Sequence, residues 1–224
     1  MIINEITLKN DGRGFASYAE EFSQIVLPAK DISAGDVLCV NPRGGEMLSS
    51  FLQRGSVIDS FVSDDEWLEA ASGFSRRVMH GYSHHPLLET RDEYYDIVIV
   101  CEDFALADDY DEMAVQYHRV LKRGGALLCG VWNMSYCGYL DALLSEGRLP
   151  DEFGDPLHGA HSFPIDTLRL RFERIGFSAF DRFAYSPPDD EETAEKYARV
   201  SKHMEIPADE AHFKPKLFFI RAIK

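Results

Sequence analysis

Short apolar runs alternate along this chain with stretches whose apolar residues recur every three or four positions. That alternation is the pattern of a mainly parallel sheet covered by helices. The first run is "DVLCV" at 36–40, with a helix-spaced segment, "GFASYAEEFSQIVLPA", ahead of it. A glycine turn follows, and "GEMLSSFLQRG" then reads as a helix closed by Gly55, a residue suited to the left-handed cap. "SVIDSFV" is the next strand, and "DDEWLEAASGF" a short helix with Ser63 or Asp64 as N-cap. "SRRVMHGYSHHPLLETRDE" predicts only a brief strand near Val78 and then loop.

The clearest buried strand is "YYDIVIVC". "DYDEMAVQYHRVLKRGG" puts Met113, Tyr117, Val120 and Leu121 on one helical face, ends in a Gly-Gly turn and feeds the strand "ALLCGVWN". A helix over "MSYCGYLDALLSEGR", a polar loop "DEFGDPLHGAHSF" and an amphipathic helix "PIDTLRLRFERIGF" come next, the last with proline at its start and glycine at its end. "SAFDRFAYS", an acidic helix around "DDEETAEKYARVSKHM" and a closing strand "KLFFIRAIK" complete the order. There is no internal repeat. At 224 residues the chain fits one domain, with 1–34 as a helical lead-in and 35–224 as the α/β core.

Charge and cysteine usage narrow the function classes. The chain has 38 acidic against 23 basic residues, a formal net charge of -15, which repels phosphate backbones and anionic lipid surfaces. No basic patch overrides it, so neither nucleic acid nor membrane is an expected partner. A basic protein partner or a second copy of the chain is admitted. Cys39, Cys101, Cys129 and Cys137 form no CxxC pair and read as small core residues, which suits a reducing cytoplasm. The N-terminus lacks a basic region followed by an apolar one, and no run approaches the roughly 20 apolar residues of a membrane span.

The block "YDIVIVCEDFALADDYDEMAVQYHRVLKRGGALLCGVWN" resembles the fourth strand, following helix and fifth strand of class I S-adenosylmethionine-dependent methyltransferases. Tyr95-Asp96, "RVLKRGG" and "GVWN" occupy the places of that family's aromatic-Asp strand start, "RVLKPGG" and "LxxxxPN". The later order of helix, His-containing loop and "DTLRLRFERIGF" is similar to members linked to surface-polysaccharide and glycan pathways. The resemblance spans about residues 35 to 224. It implies a Rossmann-like fold with a seven-stranded, mostly parallel sheet ending in an antiparallel hairpin. It also implies S-adenosylmethionine as cofactor and a small metabolite or sugar as methyl acceptor.

Laid onto the family's Asp-x-Gly-x-Gly-x-Gly loop, Cys39 takes the acidic position, Asn41 and Arg43 the first two glycines, and Gly45 the third, with Gly44 adding backbone freedom. Asn41 tolerates left-handed geometry and so preserves the turn. Arg43 brings a long cation to the mouth, either as part of a pocket altered for an anionic ligand or as a solvated side chain of a vestigial loop. Phe61 stands where the family places the ribose-binding acid. Asp59, or Asp64 at about 20 residues past the turn, is a substitute, although Asp64 also suits a helix cap. Tyr82 replaces a third acid, so all three usual carboxylates are changed.

The fourth-strand end, Cys101-Glu102-Asp103, sits where such folds place the transferable methyl group, and Glu102 or Asp103 is a candidate base for a hydroxyl acceptor. Catalytic residues are not assignable beyond that. His84-His85 and His158-x-x-His161 raise the question of a metal. Adjacent histidines project to different sides and the second pair lies in a glycine-containing loop, so no metal site is expected. His161 is the better candidate for a base or a substrate hydrogen bond. Trp132-Asn133 lies beside the same crevice, where an aromatic face either stacks on a ligand or packs the core. The alternative to an enzyme is a non-catalytic relative that binds another small ligand or a protein.

Overall fold

The computed structural model describes residues 3–8, 33–42, 48–63, 65–81, 87, 89–103, 110–147, 165–186, 190–204 and 213–224, the first of these segments as backbone only. Its strands are β1 (Ile3–Leu8), β2 (Asp36–Val40), β3 (Val57–Val62), β4 (Arg77–His80), β5 (Tyr95–Asp103), β6 (Leu121–Trp132), β7 (Ala179–Tyr185) and β8 (Leu217–Ile223). They form one sheet in the order β1-β7-β8-β6-β5-β2-β3-β4. Neighbours run parallel except at β8, which lies antiparallel between β6 and β7. The expected seven-stranded plan with its antiparallel end is therefore present. An eighth strand, β1, extends it by pairing parallel with β7. It lies within the segment expected as a helical lead-in, and the helix-spaced run after it falls outside the described residues.

The described helices are α1 (Ser49–Gln53), α2 (Leu68–Ser72, entered through a 3-10 turn at Asp65–Trp67), α3 (Tyr110–Val120), α4 (Cys137–Glu146), α5 (Ile165–Ile175) and α6 (Glu191–Met204). They cover both faces of the sheet. Because β-strand side chains alternate, Leu38, Val40, Val98 and Val100 bury toward one face, where Met113, Tyr117 and Val120 of α3 and Leu168 and Phe172 of α5 meet them. Val37, Cys39, Ile97 and Ile99 bury toward the other, against Phe51 of α1, Cys137 and Tyr139 of α4 and Val200 of α6. The strands at the centre are apolar on both sides for this reason.

Gly55 (φ +83°) ends α1 in the left-handed region, as the sequence predicts, and Gly147 (φ +72°) does the same for α4. Two boundaries differ from the sequence reading. Helix α3 stops at Val120, and "LKRGG" already belongs to β6: two steps along β5, Tyr95 to Ile97, lie opposite five along β6, Leu121 to Ala126. The glycines thus lie in a wide bulge rather than in a helix-terminating turn. Ser63 does not cap the helix that follows: its Oγ accepts no backbone N–H among the described residues, and its hydroxyl donates to Asn41 Oδ1 at 3.1 Å. Asp190 instead caps α6, its Oδ1 accepting the Thr193 N–H at 2.7 Å.

Candidate functional site at the carboxyl edge of the sheet

The chain leaves β2 toward β3 and β4 on one side and returns to β5 on the other. The carboxyl ends of β2 and β5 therefore mark the topological switch point, where open α/β sheets hold their ligands. Asn41 follows β2 with φ 50°, the left-handed turn that the sequence predicts from an asparagine in a glycine's place. Its N–H donates to the Phe61 carbonyl at 2.7 Å, which carries the β2–β3 ladder one residue past the strand. Its Oδ1 accepts the Ser63 N–H at 2.9 Å and the Ser63 hydroxyl at 3.1 Å. The residue is 7% exposed. Asn41 thus holds together the two chain segments that leave the sheet here.

Across the switch point, Cys39 Sγ lies 3.2 Å from Cys101 Sγ. Both residues are buried, and burial pushes the Cys39 thiol well above its ordinary range, with the neighbouring Cys101 adding to the effect. Burial thus keeps the Cys39 thiol protonated at the place where the resemblance puts a carboxylate. Phe61, which the resemblance lays onto the ribose acid, is 1% exposed and packs in the core with Leu38 and Val40. It offers no acceptor.

Strand β5 is irregular at this edge. Four steps from Ile99 to Asp103 lie opposite two from Leu128 to Gly130. Such bulges re-aim side chains and concentrate beside functional sites, and this one contains Glu102. Arg43, Gly44, Gly45 and Asp64 lie outside the described residues, as do Tyr82, His84, His85, His158 and His161 and the side chains of Glu102 and Asp103. Of the predicted cofactor residues, the structure brings Asn41 and Cys101 to the switch point and carries the Glu102 backbone there.

Two further candidates have other occupations. Asp59 is not a ribose acid: it is 1% exposed, and its carboxylate takes a two-pronged bond from Arg76 (Nε 2.9 Å, NH2 2.8 Å) and one from the Tyr95 hydroxyl at 2.9 Å. Arg76 and Tyr95 stand at the amino ends of β4 and β5, so Asp59 faces away from the switch point. Trp132 is 4% exposed and packs edge-on to Tyr139, with ring centroids 5.8 Å apart. Asn133 donates from Nδ2 to the Pro215 carbonyl at 2.8 Å, which ties β6 to the approach of β8. Neither forms an open stacking platform.

No family model matches the sequence, and no curated protein does. Solved structures do resemble the fold. A SAM-dependent methyltransferase from Archaeoglobus fulgidus superposes with a TM-score of 0.65 at 17% identity, covering 94% of this chain and 96% of that one. A SAM-dependent methyltransferase from Mesorhizobium loti gives 0.59 at 14% identity over 89% and 98% of the two chains. Haemonchus contortus phosphoethanolamine N-methyltransferase 2, solved with S-adenosyl-L-methionine, gives 0.60 at 14% identity over 90% of this chain and 52% of that one. The chain therefore has the Rossmann-like fold of S-adenosylmethionine-dependent methyltransferases.

The fit of that cofactor divides by part of the ligand. The left-handed backbone at Asn41 suits the close approach that the loop provides. At the ribose, Phe61 supplies no carboxylate, and the Asn41 Oδ1 is already engaged by Ser63.

Proposed function

We propose that this chain binds S-adenosylmethionine at the β2–β5 switch point and transfers its methyl group to a small metabolite or sugar. The observation that carries the reading is Asn41: it keeps a positive φ at the carboxyl end of the central strand, in the fold that such enzymes share. In this reading Asn41, Gly44 and Gly45 form the turn beneath the cofactor. Arg43 pairs with its carboxylate. Asp64 accepts the ribose hydroxyls in place of Phe61, and Cys101 and Glu102 border the transferable methyl. The cofactor supplies an electrophilic methyl on a sulfonium, so the protein's task is alignment of the acceptor, with a base only where the acceptor is a hydroxyl. Glu102 or Asp103 is the base in that case. The four free, buried thiols suit a reducing, cytoplasmic setting.

A second reading is a non-catalytic protein of the same fold that binds another small ligand or a protein partner. It is favoured by the apolar Cys39–Cys101 pair and the buried Phe61 at the carboxylate positions. Calorimetric titration with S-adenosylmethionine and S-adenosylhomocysteine separates the two, since only the first reading requires either to bind.

A further inference from the structure

A second cleft lies at the other end of the sheet, toward the amino ends of β4 and β5. Arg76, Arg77 and Arg91 line it together with Asp59, Glu89 and Tyr94, around a cavity of about 380 Å³. That volume falls within the ~300–1,000 Å³ of small-molecule sites. Three arginines on one cleft stand out in a chain with 38 acidic and 23 basic residues.

The three arginines differ in what they have left to give. Arg76 commits its fork to Asp59, donates to Asp36 Oδ1 at 3.1 Å and sits 5.6 Å from the Tyr94 ring centre. Arg77 uses only NH2, toward the Tyr95 hydroxyl at 3.1 Å and Asp59 at 3.5 Å, and its side chain is 48% exposed. A guanidinium has five N–H donors, so Arg77 retains most of its capacity. Arg91 is exposed and has no hydrogen bond or ion pair among the described residues. With Asp59 satisfied by Arg76, the charge remaining in the cleft is that of Arg77 and Arg91 against the single carboxylate of Glu89.

Two guanidinium groups with spare donors match a phosphate, which takes forked bonds from arginine. Glu89 opposes a second anionic group and accepts hydrogen bonds from hydroxyls. We propose that this cleft binds a phosphorylated polyol of sugar-phosphate size, with its phosphate between Arg77 and Arg91 and its hydroxyls toward Glu89. The site is independent of the one at the carboxyl edge, and the failure of either leaves the other standing.

The test is titration of the full chain with glucose 6-phosphate, ribose 5-phosphate and glycerol 3-phosphate, with glucose and inorganic phosphate alongside. At least one phosphorylated polyol should bind saturably and more weakly at raised salt. Its affinity should fall at least tenfold in Arg91→Gln, whose melting temperature stays at the wild-type value. Glucose should not bind, and inorganic phosphate should bind more weakly than the polyol phosphate. The proposal is overturned if no phosphorylated polyol binds at millimolar concentration. It is overturned equally if Arg91→Gln binds as the wild type does, or if inorganic phosphate binds as tightly as the best polyol phosphate.

Discussion

The sulfurs of Cys39 and Cys101 meet at 3.2 Å across the switch point of the sheet, each on a central strand and each buried. A buried thiol is a poor nucleophile, because burial disfavours the thiolate. Cys129 and Cys137 are buried as well, and burial raises the Cys137 thiol too. An aromatic disulfide reagent at mild alkaline pH should therefore label none of the four thiols in the native protein and all four after unfolding in urea. Fast native labelling of two thiols would show that the crevice opens to solvent at the carboxyl edge.

Asn41 combines two roles that substitution can separate. Asn41→Gly keeps the left-handed turn and loses the two bonds to Ser63. Asn41→Ala loses both, and a left-handed alanine costs a further ~1–2 kcal/mol. Urea denaturation should place Asn41→Ala below Asn41→Gly by about that margin. Equal stabilities would mean that the turn relaxes out of the left-handed region.

Asp59 joins β3 to the starts of β4 and β5. Removing its carboxylate leaves the Arg76 fork and the Tyr95 hydroxyl without their acceptor. Breaking a buried, hydrogen-bonded pair from one side costs about 3–5 kcal/mol, and Arg76 is partly solvated, so the low end applies. Asp59→Ala should lose about 3 kcal/mol by chemical denaturation, while any S-adenosylmethionine affinity stays unchanged because the residue faces the opposite end of the sheet. A lost cofactor site in a fully folded Asp59→Ala would contradict the geometry.

Burial of His118 predicts a pH dependence of stability below neutrality. His118 packs edge-on against Phe177, with ring centroids 5.0 Å apart. Burial lowers its pKa below the ordinary 6.5, the Lys224 charge adds to this, and a hydrogen bond with the Gly176 backbone partly offsets it. A histidine held neutral by the fold contributes its full share above the unfolded pKa, where both states are unprotonated. Below that value the unfolded chain takes up the proton first, so stability falls as pH drops from about 7 toward 5. His118→Phe should flatten this slope in melting temperature against pH. A slope unchanged in the variant would assign the dependence to another group.

The sheet was largely readable because its central strands are uninterrupted apolar runs and the block from Tyr95 to Asn133 carries a specific order of elements. The edge strand β1 was not: "INEITL" carries β-formers, but nothing local names β7, some 170 residues on, as its partner. At the carboxyl edge, Asn41 was readable from the backbone tolerance of asparagine. The roles of Asp59 and Arg76 were not, since which end of a strand a polar residue serves depends on register with its neighbours. The signal was present in a lone Asp inside the apolar strand "VIDSFV" and a downstream "SRR", a buried acid needing a cation.

The most direct test of the central claim is calorimetric titration of the full chain with S-adenosylmethionine and S-adenosylhomocysteine, repeated on Arg43→Gly and Asp64→Asn. Micromolar, one-to-one binding that weakens about tenfold or more in each variant is the predicted result. Absence of binding at high micromolar ligand by a folded protein would contradict it and leave the non-catalytic reading in its place.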